Sequence, residues 1–291
     1  MRRIRSAFNS PGAGTGFPSP ANRKVFYCPV CQRQKVAPAE EQEAVTALPA
    51  DAPIEDHLGD YELLESIGEG GMGLVYEGLH RDIDKRVAIK VLRDGLSRRP
   101  EVVARFRQEA RSASRIGHEN IVDISDFGET TLGASYFIME FLDGEDLGNV
   151  LGREVTVDAD RACAIVLQCC RALSATHAKG IVHRDIKPDN VMLSDGHAIV
   201  MDFGVAKATA QKLTEKTMFT GLGVLIGTPE YMSPEQAAGQ PAETDPQTDV
   251  YALGVIAFEL LTGRLPYEFR TPMVHDMVRV IQTEEPTRLG H

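Results

Sequence analysis

The octapeptide HRDIKPDN, residues 183–190, sets a histidine, two cations, two acids and an amide between the apolar runs ATHAKGIV and VMLSDGHAIVM. Twelve residues beyond Asn190, Asp202 opens the short stretch DFG. Transfer of a phosphoryl group requires an acceptor for the proton of the attacking hydroxyl, hard oxygen ligands for a divalent cation, and cations facing phosphate oxygens. Asp185 suits the first task, Asn190 and Asp202 the second, and Lys187 the third. A turn capped by Asp and Asn would also hold such residues, but it gives no reason for DFG to follow. Two upstream stretches point to the same chemistry. IGEGGMGLVYEG (67–78) spaces Gly68, Gly70, Gly73 and Val75 as G-x-G-x-x-G-x-V, and glycines let backbone N–H groups approach phosphate oxygens. VAIK (87–90) ends in Lys90, an ammonium inside an apolar strand that demands a partner. Glu109 on the next helical segment offers one, although Arg105, Arg107, Arg111 and Arg115 surround it in sequence and compete for it.

These residues must be positioned by secondary structure. From Tyr61 on, YELLESIG, GLVYEGLH and RVAIKVL are short, β-branched, partly alternating segments separated by Gly, which predicts an antiparallel meander. The strand after the Gly-rich stretch fits a hairpin lid rather than a dinucleotide-binding turn, which needs a helix there. PEVVARFRQEARSASRIG (100–117) reads as a helix from Pro100 to Gly117 with Val103, Phe106 and Ala110 on one face. Two more strands follow, IVDISDFG and ASYFIMEFL. The second half reads as helix. Residues 158–180 have Asp158 as N-cap, Gly180 past the end, and Ala162, Val166, Cys169 and Leu173 as the buried stripe. TDVYALGVIAFELLTGR (248–264) is apolar nearly all round and so is expected at the centre of a core. Strands first and helices second give an α+β protein with two lobes.

Charge is unevenly distributed. Residues 1–39 hold seven Lys/Arg and no acid; residues 40–60 hold seven Asp/Glu and no Lys/Arg; the remainder carries the whole net charge of −11. So acidic a main domain argues against nucleic acid as its partner. Residues 1–60 read as a disordered basic-then-acidic tail. No apolar run approaches membrane-spanning length, and MRRIRSAFNSPGAG lacks the apolar stretch of a signal peptide, so the expected compartment is the cytoplasm. Five cysteines give no disulfide framework. Cys28 and Cys31 in CPVC are half of a structural zinc site, with His57 a distant further ligand; without more ligands an unstructured tail with two free thiols is the expectation. Cys163, Cys169 and Cys170 are read as core on the helix 158–180.

The motifs GEGGMGLV, VAIK, HRDIKPDN, DFG and GTPEYMSPE stand in the order of the eukaryotic-type (Hanks-type) protein kinases, and residues 61–291 resemble that family, most closely its bacterial Ser/Thr members. The resemblance implies a bilobal fold, with residues 61–142 as the N-lobe and hinge and 143–291 as the C-lobe. It implies a signalling enzyme that moves the γ-phosphate of ATP, with Mg²⁺ or Mn²⁺, to Ser or Thr hydroxyls of proteins. Lys90 would hold the α/β-phosphates and pair with Glu109; Asp185 would orient the substrate hydroxyl and take its proton; Asn190 and Asp202 would bind metal. The hinge would be 138–146, with Met139 as gatekeeper, backbone groups of Glu140 and Leu142 on adenine, and Asp146 on ribose. Val75, Ala88 and Met192 would sandwich the adenine ring, and His183 and Phe203 would pack in the spine joining the lobes. Lys187, and Thr228 near the substrate, fit Ser/Thr rather than Tyr specificity. Thr217 or Thr220 would be autophosphorylated and ordered by Arg184.

Residues 271–291 reach only the first helix beyond the central one, where the family continues through further helices. The expectation is a truncated C-lobe with a thinly covered central helix, self-association, and a Glu235 that is either exposed or buried unpaired. The alternative to an active kinase is therefore a weak or inactive nucleotide-binding or scaffold module. A third reading takes the basic tail with CPVC as a module for an acidic partner.

Overall fold

The computed structural model describes residues 57–70, 72–203, 229–239, 245–271 and 273–290. CPVC, the acidic run 40–56 and Thr217, Thr220 and Thr228 lie outside the described residues. The N-terminal half is a six-stranded antiparallel sheet in the order β1-β2-β3-β4-β6-β5. Its strands are β1 (His57–Leu58), β2 (Tyr61–Glu69), β3 (Gly73–His80), β4 (Lys85–Leu92), β5 (Ile124–Glu129) and β6 (Ser135–Glu140). The sheet thus starts before Tyr61: Leu58 pairs with Tyr61 and is 2% exposed, while His57 is exposed on the same strand. Between β4 and β5 come the one-turn α1 (Asp94–Ser97) and the longer α2 (Pro100–Ile116). Pro100 opens α2, and Gly117 closes it with a left-handed φ of 60°. Its inner face carries Phe106, fully buried between the rings of Phe127 and Phe137, with Ala110 beside it and Val103 partly buried. Burying such a ring contributes roughly 2–3 kcal/mol, which fixes α2 against the sheet.

A second, three-stranded antiparallel sheet, β7-β8-β9, lies within the helical half. It consists of β7 (Gly144–Asp146), β8 (Val191–Ser194) and β9 (His197–Val200). The helices are α3 (Leu147–Glu154), α4 (Ala159–Ala178), α5 (Pro234–Ala237), α6 (Pro246–Thr262) and α7 (Val274–Thr283). Asp158 caps α4 by accepting from Asp160 N and Arg161 N, as its place in the sequence predicts. The main core joins α4, α6 and the β8–β9 hairpin through Leu173, Ile256, Leu260, Val191 and Val200. The α+β, two-lobed architecture follows the expectation.

Three expectations need correction. Cys169 is 1% exposed and burial pushes its thiol up to about 12, but Cys163 and Cys170 are exposed. Each lies one residue past a buried position, Ala162 or Cys169, which turns it some 100° away from the core. For the same reason Ile165 is buried where Val166 is only partly so. The apolar central helix α6, by contrast, is incompletely covered as expected, with Val250 62% and Leu261 39% exposed. Glu235 is neither exposed nor unpaired: it is half-buried and accepts from Thr248 Oγ1 at 2.8 Å.

Candidate active site

Chain reversal at the Gly-rich stretch brings β3 back along β2, and the other edge of β3 pairs with β4. Gly68 pairs with Val75, and Val75 with Lys90, so the Gly motif and the lysine occupy neighbouring strands. Gly70 N donates to Gly73 O at 2.9 Å and closes the turn. A Cβ on Gly73 would sit 2.3 Å from Val91 O, so the sheet itself excludes a side chain there, whatever binds above it. Val75, Ala88, Met139 and Leu142 join one apolar cluster facing the hinge. Met192 is partly buried on β8, paired with Asp146 on β7. Glu140 ends β6, where its N donates to Asp123 O at 3.0 Å and its carboxylate accepts from Asp123 N at 2.8 Å. Asp146 is occupied as the N-cap of α3, accepting from Asn149 N at 2.8 Å and also from Asn149 Nδ2.

Lys90 is 5% exposed and Glu109 7%. The Lys90 ammonium donates to Glu109 Oε1 at 2.8 Å and to Asp202 Oδ1 at 2.7 Å, and lies 5.6 Å from the centroid of the Phe137 ring. The structure thus joins β4, α2 and the DFG stretch through one cation. Burial opposes the charge on Lys90, but the carboxylates of Asp202 and Glu109 outweigh it and hold its pKa above the ordinary value. Burial pushes the Glu109 carboxyl up to about 7, against the pull of Lys90 and helped by the Asp202 charge. Asp202 is also penalised by desolvation; its side chain is 45% exposed, however, and Lys90 holds its carboxyl below the usual range. The Glu109 shift has a stated sign for stability. From its ordinary 4.5 up to about 7, the unfolded chain releases a proton that the folded chain keeps. Stability from this group is therefore expected to fall as pH rises through that window and to level off above it. Urea midpoints across pH check this, and Glu109→Gln should flatten that part of the profile; an unchanged slope in the variant would assign it to another group.

The catalytic-loop candidates gather on the other lobe. Asp185 is half-buried, and its N donates to His183 Nδ1 at 3.2 Å. Asn190, 5% exposed, donates from Nδ2 to Asp185 O at 2.8 Å, which leaves its amide oxygen as a ligand. Lys187 lies 3.5 Å from Asp189. His183 is fully buried, 4.8 Å from the Phe203 ring and with Nε2 2.9 Å from Met201 O. Arg184 and Asp202 both take left-handed φ, 68° and 52°; such strain in non-glycine residues gathers at functional sites.

The residue that organises this loop is one the motifs do not mark. Asp249, fully buried in the first turn of α6, accepts from His183 N at 2.8 Å and Arg184 N at 2.7 Å, with His177 Nε2 at 2.8 Å. A single acid near the start of an otherwise apolar helix was the available signal. Gln236 adds a bond to Arg184 O at 2.9 Å, while Arg184 Nε is buried with no partner among the described residues. No described helix is long and apolar enough to cross a membrane.

Known proteins align with this arrangement. The family model described as protein kinase domain matches residues 61–288. Serine/threonine-protein kinase Pkn1 of Myxococcus xanthus is 43% identical over 271 residues, 89% of this chain and 37% of that protein. Serine/threonine-protein kinase pkn3 of the same organism is 43% identical over 213 residues, 72% of this chain and 38% of its own. Serine/threonine-protein kinase PknB of Mycobacterium leprae is 41% identical over 226 residues, 75% of this chain and 35% of its own. The chain spans little more than a third of the length of these curated relatives. With two lobes of the expected order, and the Gly-rich turn, buried lysine and polar loop at their junction, this chain belongs to the protein kinase family.

Proposed function

We propose that the chain is an ATP-dependent Ser/Thr protein kinase of the bacterial Hanks type, working in the cytoplasm. The observation that carries this is the shared cation: Lys90 holds Glu109 and Asp202 at 2.8 and 2.7 Å across three separate elements. Such an arrangement serves a nucleotide better than it serves the fold, because a buried ion cluster costs desolvation that apolar side chains would avoid. In this reading Lys90 faces the α/β-phosphates, and the hinge at Glu140 and Leu142, with Val75, Ala88 and Met192, holds adenine. Asp146 caps its helix through one accepted bond at each oxygen and keeps a lone pair on each for a ribose hydroxyl. The amide oxygen of Asn190 and the carboxylate of Asp202 fit a divalent cation, since both are hard oxygen donors and Mg²⁺ completes its shell with phosphate and water. When bound, that cation neutralises charge on the transferring phosphoryl group. Asp185 orients the substrate hydroxyl and takes its proton, and Lys187 faces the phosphate being moved.

Arg184 Nε, buried without a partner, fits an incoming phosphate from the segment that holds Thr217 and Thr220. Incubation with γ-labelled ATP and Mg²⁺ tests the whole reading. Label on phosphoserine or phosphothreonine of a generic protein substrate or of the chain itself, abolished by a chelator of divalent cations, is the expected result. Nucleotide binding without any transfer would move the chain to the scaffold reading. Mass spectrometry of the labelled chain is expected to place phosphate on Thr217 or Thr220.

A further inference from the structure

The start and outer face of α2 carry a concentration of positive charge that few acids among the described residues answer. Residues 98–115 include six arginines and two acids, a surplus of four positive charges, within a main domain whose net charge is −11. Of the two acids, Glu109 is buried on Lys90, and only Glu101, one turn before Arg105, is left to offset the arginines from within the helix. Arg107 is taken by Glu129 at 3.3 Å and by the face of Phe127. The other five, Arg98, Arg99, Arg105, Arg111 and Arg115, have no carboxylate partner among the described residues. Four of these are exposed and Arg105 is half-exposed.

The same chain contains a matching strip. EEQEAVTALPADAPIED (40–56) has six acids and no Lys/Arg, and it runs directly into His57 at the start of β1. Strand β1 is at one edge of the sheet, while α2 packs against β5 and β6 at the other. Crossing six strands takes about 24 Å at the usual strand spacing. Seventeen residues reach about 55 Å when extended; the crossing takes up about seven of them next to His57, which leaves Glu40, Glu41 and Glu43 to meet the arginines.

We propose that residues 40–56 dock on the arginine face of α2 in the same molecule. The contact holds the helix that supplies Glu109 to Lys90, so the acidic segment acts as an electrostatic strap on the lysine–glutamate pair. Its effect on catalysis rests on the kinase reading above; the docking itself does not. The chemistry of the contact is guanidinium on carboxylate at an exposed surface. Each pair is weak alone and sensitive to salt, and the strength comes from several acting together.

Hydrogen exchange of the full chain, read by mass spectrometry, tests this. At low salt, peptides covering 40–56 and α2 are expected to exchange about tenfold more slowly than at about 1 M salt, where the screening length falls to roughly 3 Å. Changing Arg98, Arg99, Arg105, Arg111 and Arg115 together to Gln should release both peptides. Because that variant alters a helix, a second variant neutralises Glu40, Glu41, Glu43, Asp51, Glu55 and Asp56 with Gln or Asn and should release α2 while leaving its sequence untouched. Unprotected exchange of 40–56 in the native chain overturns the proposal. So does protection that survives in the arginine variant, which would place the segment elsewhere, for example on the basic residues 1–39. Protection that disappears on dilution assigns the acidic segment to the helix of a second copy and overturns the intramolecular contact. In the label-transfer assay the acidic-segment variant is expected to lose activity severalfold; docking without that loss would remove the regulatory half of the proposal. Absence of transfer in the native chain would fail the kinase reading and leave the docking result standing.

Discussion

Asp185→Ala is expected to reduce label transfer by about 10²–10⁴-fold, the range lost when a positioned acid–base group is removed. Nucleotide affinity should stay within about twofold, because in the proposed site the groups assigned to the phosphates and to a divalent cation, Lys90, Asn190 and Asp202, are unchanged. The structure makes this substitution a clean probe. Two bonds that shape the loop come from the Asp185 main chain: its N donates to His183 Nδ1, and its carbonyl accepts from Asn190 Nδ2 at 2.8 Å, while its Oδ2 lies 3.5 Å from the same Nδ2. Alanine preserves both. The lost carboxylate therefore affects chemistry more than folding, and the thermal midpoint should stay near that of the native chain. Transfer measured with saturating ATP, together with nucleotide titration by fluorescence, separates the two effects. A loss below about tenfold would mean that Asp185 does not handle the substrate proton. A matching loss of nucleotide affinity would mean that it belongs to the metal set instead.

The parts of this protein that could be read from the sequence share a physical property: their signal is local. Pro100 and Gly117 end α2 because proline suits the first helical turn and glycine the left-handed exit. The run GLVYEGLH gives β3 its full extent because its β-branched and aromatic residues favour the extended chain, although burial along it does not alternate. The association of Lys90 with Glu109 across 19 residues was also open to inference, since a lysine in an apolar strand must find an acid. What was hidden depends on which surfaces meet. Periodicity alone could not decide whether Cys163 and Cys170 share the buried stripe with Cys169, because helix α4 is apolar on more than one face. The sequence marks Asp146 as a ribose contact, and its additional bond as the cap of α3 appears only in the structure. Glu235 gains Thr248 from a helix whose approach no local pattern specifies. Asp249 is the strongest example, since its three partners come from two segments more than sixty residues upstream.

That residue carries the larger structural prediction. Asp249→Ala is expected to destabilise the fold by about 3–5 kcal/mol, a third or more of the stability of an ordinary domain. The side chain is fully buried and satisfies two main-chain N–H groups as well as His177. Alanine would leave both N–H groups without their acceptor, each at a cost of about 1–3 kcal/mol. Arg184 depends on it further, because its left-handed φ of 68° is unfavourable for a side-chain residue and persists only while its N–H is held. Once released, residues 183–185 relax toward ordinary backbone and carry Asp185 away from Asn190 and Asp202, the pair proposed to bind metal. The thermal midpoint is then expected to fall by about 10 °C, and transfer should fall even at temperatures where the variant remains folded. Asp249→Asn keeps the shape but turns an NH₂ toward groups that also donate, so it should recover only part of the stability. This ordering separates an anchoring role from a chemical one: Asp185→Ala loses activity at native stability, whereas both Asp249 variants lose the two together. An Asp249→Ala chain as stable as the native protein would show that the N–H groups of residues 183 and 184 find other partners, and that the loop is held by its flanking strands and helices instead.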